Sequence, residues 1–119
     1  MTTTRDALDL LLEERPWLRP TYGLHIRAGW RPIAASALRE IALIADRSDV
    51  SVEVAQIKEK FGRLRITVDP VSVRVRFEHV LTRAEQQADI TCDVCGAAGS
   101  LRGPMWYRTR CDAHADSND

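Results

Sequence analysis

Three cysteines and one histidine near the end of the chain have the types and spacing that most directly imply chemistry. Cys92 and Cys95 form a C-x2-C pair, and after a gap of fifteen residues Cys111 and His114 form a C-x2-H pair. Two donors separated by two residues lie on one tight turn and can point at a single ion. Three thiolates and an imidazole suit the tetrahedral shell that Zn²⁺ prefers. The sequence therefore predicts a zinc site that uses every cysteine of the protein.

The predicted zinc site has the ligand number of a structural site. Four protein ligands fill the shell, whereas a catalytic zinc keeps a position for water, and no Glu lies near the ligands as in hydrolase or deaminase motifs. A redox role for Cys92 and Cys95 is disfavoured because no strand–helix–strand pattern surrounds them. His25 and His79 are isolated, and there is no nucleophile triad or glycine-rich phosphate loop. We therefore expect no enzyme activity, no catalytic residue and no small-molecule substrate.

A zinc-ribbon or treble-clef-like module is expected around the ligands. Gly96 directly follows the second cysteine, as in zinc knuckles, where the backbone turns without a Cβ. Residues 100–102 and 105–108 are expected to pair as a hairpin across the Gly-Pro turn at 103–104. The second ligand pair would then lie on another knuckle or in the first turn of a short helix. Residues expected to support the ligands or to line the rim are Thr109, Arg110 and Asp112.

Two helices are predicted before the middle of the chain. Residues 4–15 form a short helix with Thr4 as its cap, and Pro16 ends it. Gly29 opens the more strongly periodic helix, predicted over residues 31–46, in which apolar residues recur at three- and four-residue steps. This second helix is expected to form the centre of the core.

A β-hairpin and a third helix are predicted between residues 50 and 89. Apolar residues alternate around 50–54 and 64–68, which indicates two half-buried strands joined by a charged turn over 56–63. A third helix is expected from about residue 72 to residue 88, because Asp-Pro at 69–70 is typical of a helix start. Alternating valines at 71–77 leave a strand as the alternative for that segment.

Composition predicts a small protein of α+β class. The chain has 119 residues, of which 45% are hydrophobic and 29% charged, as in ordinary globular proteins. We expect an α+β domain over residues 1–89 and a zinc-binding module over 90–119, packed as one unit. No run approaches the length of a membrane span, and the N-terminus lacks the features of a signal peptide. Metal-bound thiols suit a reducing compartment, so a cytoplasmic protein without membrane contact is expected.

The balanced net charge hides a basic segment in the middle of the chain. There are 17 basic and 17 acidic residues in all, but residues 58–83 hold seven basic and three acidic ones, a net charge of +4. The candidate partner-binding residues in this segment are Lys58, Lys60, Arg63 and Arg65. They could grip an acidic protein or a phosphate backbone, or they could simply solvate a turn while Phe61 packs inward.

The combination of motifs resembles a known family of small, mostly uncharacterised zinc-binding proteins of phage and prophage genomes. The shared features are Gly29-Trp30 at a helix start, the string Gln56-Ile57-Lys58-Glu59-Lys60-Phe61-Gly62 followed by Leu64-Arg65, and the segment that contains Cys92-Asp93-Val94-Cys95-Gly96 and Cys111-Asp112-Ala113-His114. The chain departs from the family where Arg63 replaces a second glycine. The resemblance implies a zinc-binding cytoplasmic protein of mobile-element origin, with no established activity.

These observations lead to two functional hypotheses of different classes. The first is a non-enzymatic, zinc-stabilised binding protein that inhibits or modulates a host protein complex, such as a defence system, by protein–protein contact. Its phage association comes from the family resemblance. The alternative is a nucleic-acid-binding regulator that uses the basic hairpin and the zinc ribbon, with an affinity that falls steeply with salt.

Overall fold

The structure of the protein, a computed structural model, describes residues 4–116. Within that range the chain forms three α-helices, a three-stranded sheet and a two-stranded sheet. The helices are α1 (Ala7–Glu14), α2 (Arg31–Ser48) and α3 (Glu78–Asp89). The strands are β1 (Leu24–His25), β2 (Glu53–Lys60), β3 (Arg63–Asp69), β4 (Ser100–Arg102) and β5 (Arg108–Arg110). The predicted α+β class, with two helices before a hairpin and a third after it, is confirmed.

Helix α1 begins at a different cap from the one predicted. The N-cap is Asp6 rather than Thr4, and its carboxylate accepts a hydrogen bond from the backbone N–H of Asp9 at 2.8 Å. The Asp9 side chain in turn accepts from the Asp6 N–H, which completes a capping box. Arg31 at the start of α2 donates to both carboxylates. Asp6 is preferred as the cap because its carboxylate accepts hydrogen bonds both from the backbone at the start of α1 and from Arg31 of α2.

Helix α2 lies at the centre of the core, as its periodicity predicts. The buried face of this helix carries Ile33, Leu38 and Ile41, and Trp30 just before it is fully buried. The helix runs two residues beyond the predicted end and stops where Asp49 takes a left-handed conformation, with φ of 51°. Burying one large apolar side chain, such as that of Leu38 or Ile41, stabilises the fold by about 1.5–3 kcal/mol.

The predicted hairpin is present, but its turn is much shorter than the sequence suggests. Strands β2 and β3 pair antiparallel and extend to Lys60 and Arg63, so only Phe61 and Gly62 form the turn. Both turn residues have positive φ, 53° and 81°, as in the two-residue turns that match strand twist. Residues 56–60 are therefore strand rather than charged turn. The short strand β1, which the sequence did not predict, pairs parallel with β2 at the edge of the sheet.

The segment before α3 is helical, so the strand alternative for it is wrong. Residues Val71–Phe77 form a 3₁₀-helix, and the α-helix begins only at Glu78. Alternating β-branched valines disfavour α-helical geometry, which explains why the α-helix starts six residues later than expected. Arg74 holds the segment against the sheet by donating to the carbonyl of Val68 at 2.7 Å and to the Asp69 carboxylate at 2.8 Å.

One hydrophobic core joins the three helices to the inner face of the three-stranded sheet. Its members run along the chain from Leu8 to Ala88 and include Leu64, Ile66 and Phe77. Among the described residues, the segment after Asp89 adds no member to this core. None of the helices in residues 4–116 is long and apolar enough to cross a membrane.

Candidate metal centre

The structure brings all four predicted ligands together at one point. Their donor atoms lie within 4.8 Å of one another, and the three cysteines are free thiols. The Sγ atoms of Cys95 and Cys111 are 3.8 Å apart, and Nδ1 of His114 lies 3.3 Å and 3.7 Å from Sγ of Cys111 and Cys92. A tetrahedron with metal–sulfur bonds of about 2.3 Å has edges of about 3.8 Å. The cluster is therefore arranged to bind a metal ion and fits the dimensions of zinc.

The first ligand pair lies on the knuckle that Gly96 predicts. Gly96 has φ of 83°, a conformation that a residue with Cβ adopts only with strain. Its N–H donates to the carbonyl of Cys92 at 2.9 Å, while the Cys92 N–H donates to the carbonyl of Ala97 at 2.7 Å. This turn directs both thiols of the pair to the same side, with Cys92 fully buried and Cys95 at the surface.

The pKa values of the two thiols of this knuckle shift in opposite directions. Burial raises the pKa of Cys92, but the amides of Cys111, Cys95 and Val94 point at its sulfur and lower the pKa to about 6 overall. The amide of Ala97 lowers the pKa of Cys95, yet desolvation and the neighbouring thiols raise it on balance. Cys92 is therefore the more acidic thiol of this ligand pair.

The second ligand pair follows a hairpin whose register differs from the prediction. Strand β4 pairs with β5, Arg108–Arg110, so Arg108 is the only member of the predicted partner range 105–108 that pairs, and the connecting loop spans 103–107. The chain then enters a 3₁₀ turn at Asp112–His114, where the N–H of His114 donates to the carbonyl of Cys111 at 3.1 Å. Of the two predicted settings for this pair, a second knuckle or a short helical turn, the structure shows the helical turn.

The start of α2 holds the first ligand turn in place. The indole Nε1 of Trp30 donates to the carbonyl of Thr91, and the N–H of Gly29 donates to the carbonyl of Asp93, both at 2.8 Å. A Cβ on Gly29 would lie 2.1 Å from the carbonyl oxygen of Cys92, so only glycine permits this approach. Sequence reasoning used this Gly-Trp pair as a helix start and missed its contact with the metal centre.

Thr109 connects the metal centre to the hairpin turn of the larger sheet. Its side chain is 1% exposed, and its Oγ1 donates to the carbonyl of Gly62 at 2.7 Å. Its own carbonyl accepts from the N–H of Asp93 at 3.0 Å, inside the first ligand turn. The predicted supporting role of Thr109 therefore consists of bridging two loops rather than contacting a ligand.

A buried ion pair lies behind the ligands. The guanidinium of Arg110 donates to the carboxylate of Asp93, and the two side chains are 1% and 2% exposed. Burial raises the pKa of Asp93, while Arg110 and, at 3.9 Å, Arg27 oppose the rise. The sequence predicted a supporting role for Arg110 but none for Asp93, because no local pattern shows that the Asp93 side chain is buried. Asp112 lies at the fully exposed rim, paired with Arg102 at 2.8 Å.

The four candidate partner-binding residues share one face of the larger sheet. Lys58 lies opposite Arg65 and Lys60 opposite Arg63 in the β2–β3 register. The arginines reach the adjacent helix, where Arg63 pairs with Asp89 at 2.7 Å and Arg65 with Glu85 at 2.9 Å. Within residues 4–116 the two lysines form no ion pair. Neighbouring Phe61 does not pack inward, because its ring is 71% exposed.

Comparisons of the chain with protein-family models, with curated proteins and with solved structures found no match. The fold and the metal centre together define a small α+β protein with a Cys₃His cluster arranged to bind a metal ion without a disulfide.

Proposed function

We propose that Cys92, Cys95, Cys111 and His114 bind one structural Zn²⁺ ion and that residues 90–116 are a zinc-ribbon or treble-clef-like module. The donor separations support zinc, and the closed set of four protein ligands supports a structural role. Three thiolates and a neutral imidazole leave the bound site with one net negative charge. The buried Arg110 donates to the backbone carbonyl of His114 at 3.4 Å, as expected of a group that supports a metal ligand.

Cobalt substitution tests the structural assignment. Co²⁺ bound to three sulfurs and one nitrogen has the absorption bands of a tetrahedral thiolate complex, and added small anions should leave these bands unchanged. The matched variant is His114→Gly, which opens one position for water and should make the spectrum respond to anions. A wild-type spectrum that already shows a water-containing shell contradicts the structural role.

We further propose that the protein is a non-enzymatic cytoplasmic binding protein that inhibits or modulates a host protein complex, such as a defence system, by direct contact. The observation that carries this proposal is the pair Lys58 and Lys60, which lie without a counter-ion in the described residues on a rigid strand. The phage association rests on the family resemblance. Positive charge on a flat sheet face suits an acidic partner surface.

Charge reversal tests the contact surface. The variant Lys58→Glu/Lys60→Glu reverses the charge of the two lysines, and it should greatly weaken retention of a host protein captured from nuclease-treated lysate. A matched reversal on other exposed cations, Arg19→Glu/Arg39→Glu, should leave retention unchanged. Extending the reversal to Arg63 and Arg65 should abolish binding. Equal retention by all variants contradicts the proposed surface, and retention lost on nuclease treatment favours nucleic acid instead.

A further inference from the structure

Large apolar side chains are exposed where the metal module meets the hairpin turn. The most exposed are Met105 at 93% and Trp106 and Phe61 at 71% each. We use the name aromatic tip for Phe61, Leu101, Met105, Trp106 and Tyr107. Single exposed apolar residues are ordinary, but a contiguous group marks an interaction site. Phenylalanine, tyrosine, tryptophan and methionine are also the residue types enriched in protein–protein interfaces.

Two elements distant in sequence are held together to form the aromatic tip. The turn at Gly62 lies against Leu101 and Arg108, so that a Cβ on this glycine would be 2.7 Å from Cδ1 of Leu101 and 3.0 Å from the backbone nitrogen of Arg108. The hydrogen bond from Thr109 to the Gly62 carbonyl fixes the same contact. The turn that carries Phe61 is therefore held against Leu101 and the backbone of residues 107–108 by close packing at Gly62.

The rings of the aromatic tip are accompanied by cations. The ammonium of Lys60 lies 5.8 Å from the centroid of the Phe61 ring, and the guanidinium of Arg108 lies 5.2 Å from that of Trp106. Lys58 follows on the same strand face. A partner that covers the rings must therefore meet positive charge at the rim, which selects for carboxylates.

Carboxylates interspersed among these cations argue against a nucleic-acid backbone. Arg108 pairs with Glu59 at 3.4 Å, and the arginines of β3 pair with Asp89 and Glu85. A phosphate backbone needs a continuous cationic track, and here three carboxylates interrupt it. An acidic peptide needs only a few positive positions around an apolar centre.

We propose that the aromatic tip binds an acidic protein segment whose apolar side chains cover Trp106 and Phe61 and whose carboxylates meet Lys58 and Lys60. This inference rests on the proposed binding function and names the chemistry of the partner. On this proposal most of the binding free energy comes from the aromatic rings rather than from the basic strand face. Truncating aromatic side chains typically causes the largest losses of affinity in protein interfaces.

A displayed library of random linear peptides, selected against the full zinc-loaded chain, tests the proposal. The enriched peptides are expected to combine Asp or Glu with aromatic or aliphatic residues. Their affinity should fall about tenfold or more in Phe61→Asn and in Trp106→Ser. Asn-Gly is a preferred pair for this type of turn, so Phe61→Asn removes the ring without weakening the hairpin. The matched control, Tyr22→Ser, removes a ring that is 68% exposed elsewhere and should change nothing.

Lysine acetylation gives a second readout on the same complexes. Lys58 and Lys60 are the only lysines of the chain, so an amine-reactive acetyl donor reports on this surface and on the N-terminal amine alone. An enriched peptide should slow acetylation of both lysines while the N-terminal amine reacts as before. Unchanged acetylation of both lysines under saturating peptide overturns the proposed position of the carboxylates.

The outcomes separate this inference from the proposed function. Peptides that bind equally to wild type and to both ring variants overturn the aromatic tip but leave a protein-binding function standing. Selection that enriches nothing over a Phe61→Asn/Trp106→Ser double variant also overturns the tip. Binding of single-stranded oligothymidine that depends on both rings, with no peptide enriched, overturns the acidic-peptide partner and the protein-contact function together.

Discussion

The body of the molecule, Ala7–Asp89, and its C-terminal segment, 90–116, bury opposite kinds of residue. In the body the buried side chains are almost all apolar and form one cluster across helices and sheet. In the C-terminal segment the buried residues are Cys92, Asp93, Thr109 and Arg110, whereas its large apolar side chains are exposed. The body is thus held by the hydrophobic effect, and the segment by ligands, hydrogen bonds and an ion pair.

This difference assigns a separate role to each region. A segment of under thirty residues without an apolar core does not bury enough surface to fold alone, so we expect metal coordination at the Cys₃His cluster to supply the missing stability. Keeping its rings outside costs stability, but it leaves them available to a partner.

Loss of the metal should have the largest effect, and it should fall on one region. Chelation, or the variant Cys95→Ser, should unfold residues 90–116 because metal binding and folding are coupled there. Amides within the first ligand turn, such as those of Asp93 and Gly96, should exchange with solvent at least about 100-fold faster. Hydrogen exchange read by mass spectrometry measures this against α2, which should stay protected.

The control for this experiment lies in the same loop. Ala98→Ser adds a hydroxyl at an exposed position of this loop, and it should leave exchange and metal content unchanged. Slow exchange of residues 90–116 in metal-free protein would show that hydrogen bonds and ion pairs keep this segment folded without metal, and it would contradict the contrast between the two regions.

The buried and exposed ion pairs of the C-terminal segment should differ strongly in their contribution to stability. Asp93→Asn removes the negative charge that faces buried Arg110 and should cost about 3–5 kcal/mol of unfolding free energy, because breaking a buried pair leaves an uncompensated charge. Asp112→Asn breaks a pair at the solvent-exposed rim and should have little effect. Urea titration of both zinc-loaded variants measures the difference, and equal losses would contradict the assigned burial.

The smallest expected effect on stability comes from the Asp6 charge in the body, because the apolar core supplies most of the stability of that region. The guanidinium of Arg31, with smaller help from the Asp9 amide, lowers the pKa of Asp6 from 3.8 to about 2 against the opposing effect of burial. A lowered pKa stabilises the fold above about pH 4, and this contribution is lost as the pH falls through 2.

Asp6→Asn keeps an acceptor for the helix cap but removes the charge. It should therefore cost less than about 1 kcal/mol at neutral pH, because the Asp6 side chain is 43% exposed and its charge is screened by solvent. The cost should shrink as the pH falls below about 4. Carboxyl chemical shifts followed by NMR as a function of pH should give a pKa of about 2 for Asp6. A pKa near 3.8 would show that Arg31 does not stabilise the Asp6 carboxylate.

Local patterns in the sequence predicted the features that depend on neighbouring residues. The spacing of the cysteines and His114 predicted a shared site, Gly96 predicted the knuckle turn, and apolar periodicity located α2 and the hairpin. Predictions were wrong where two local options had similar energies. Thr4 and Asp6 can both cap α1, and only Asp6 also reaches Arg31. The valines at 71–77 fit a strand or a helix until Arg74 ties them to the sheet as a 3₁₀ segment.

The sequence by itself determined the ligand set, the α+β class and the location of the basic residues, because each depends on residue type and on spacing of a few positions. Only the tertiary structure decided that Gly29 and Trp30 support the first ligand turn, that Asp93 turns inward to Arg110, and that the hairpin turn at Gly62 lies against Leu101 and Arg108. These contacts join residues far apart in the chain. Their free energy depends on close packing and on the direction of hydrogen bonds, which no local pattern encodes.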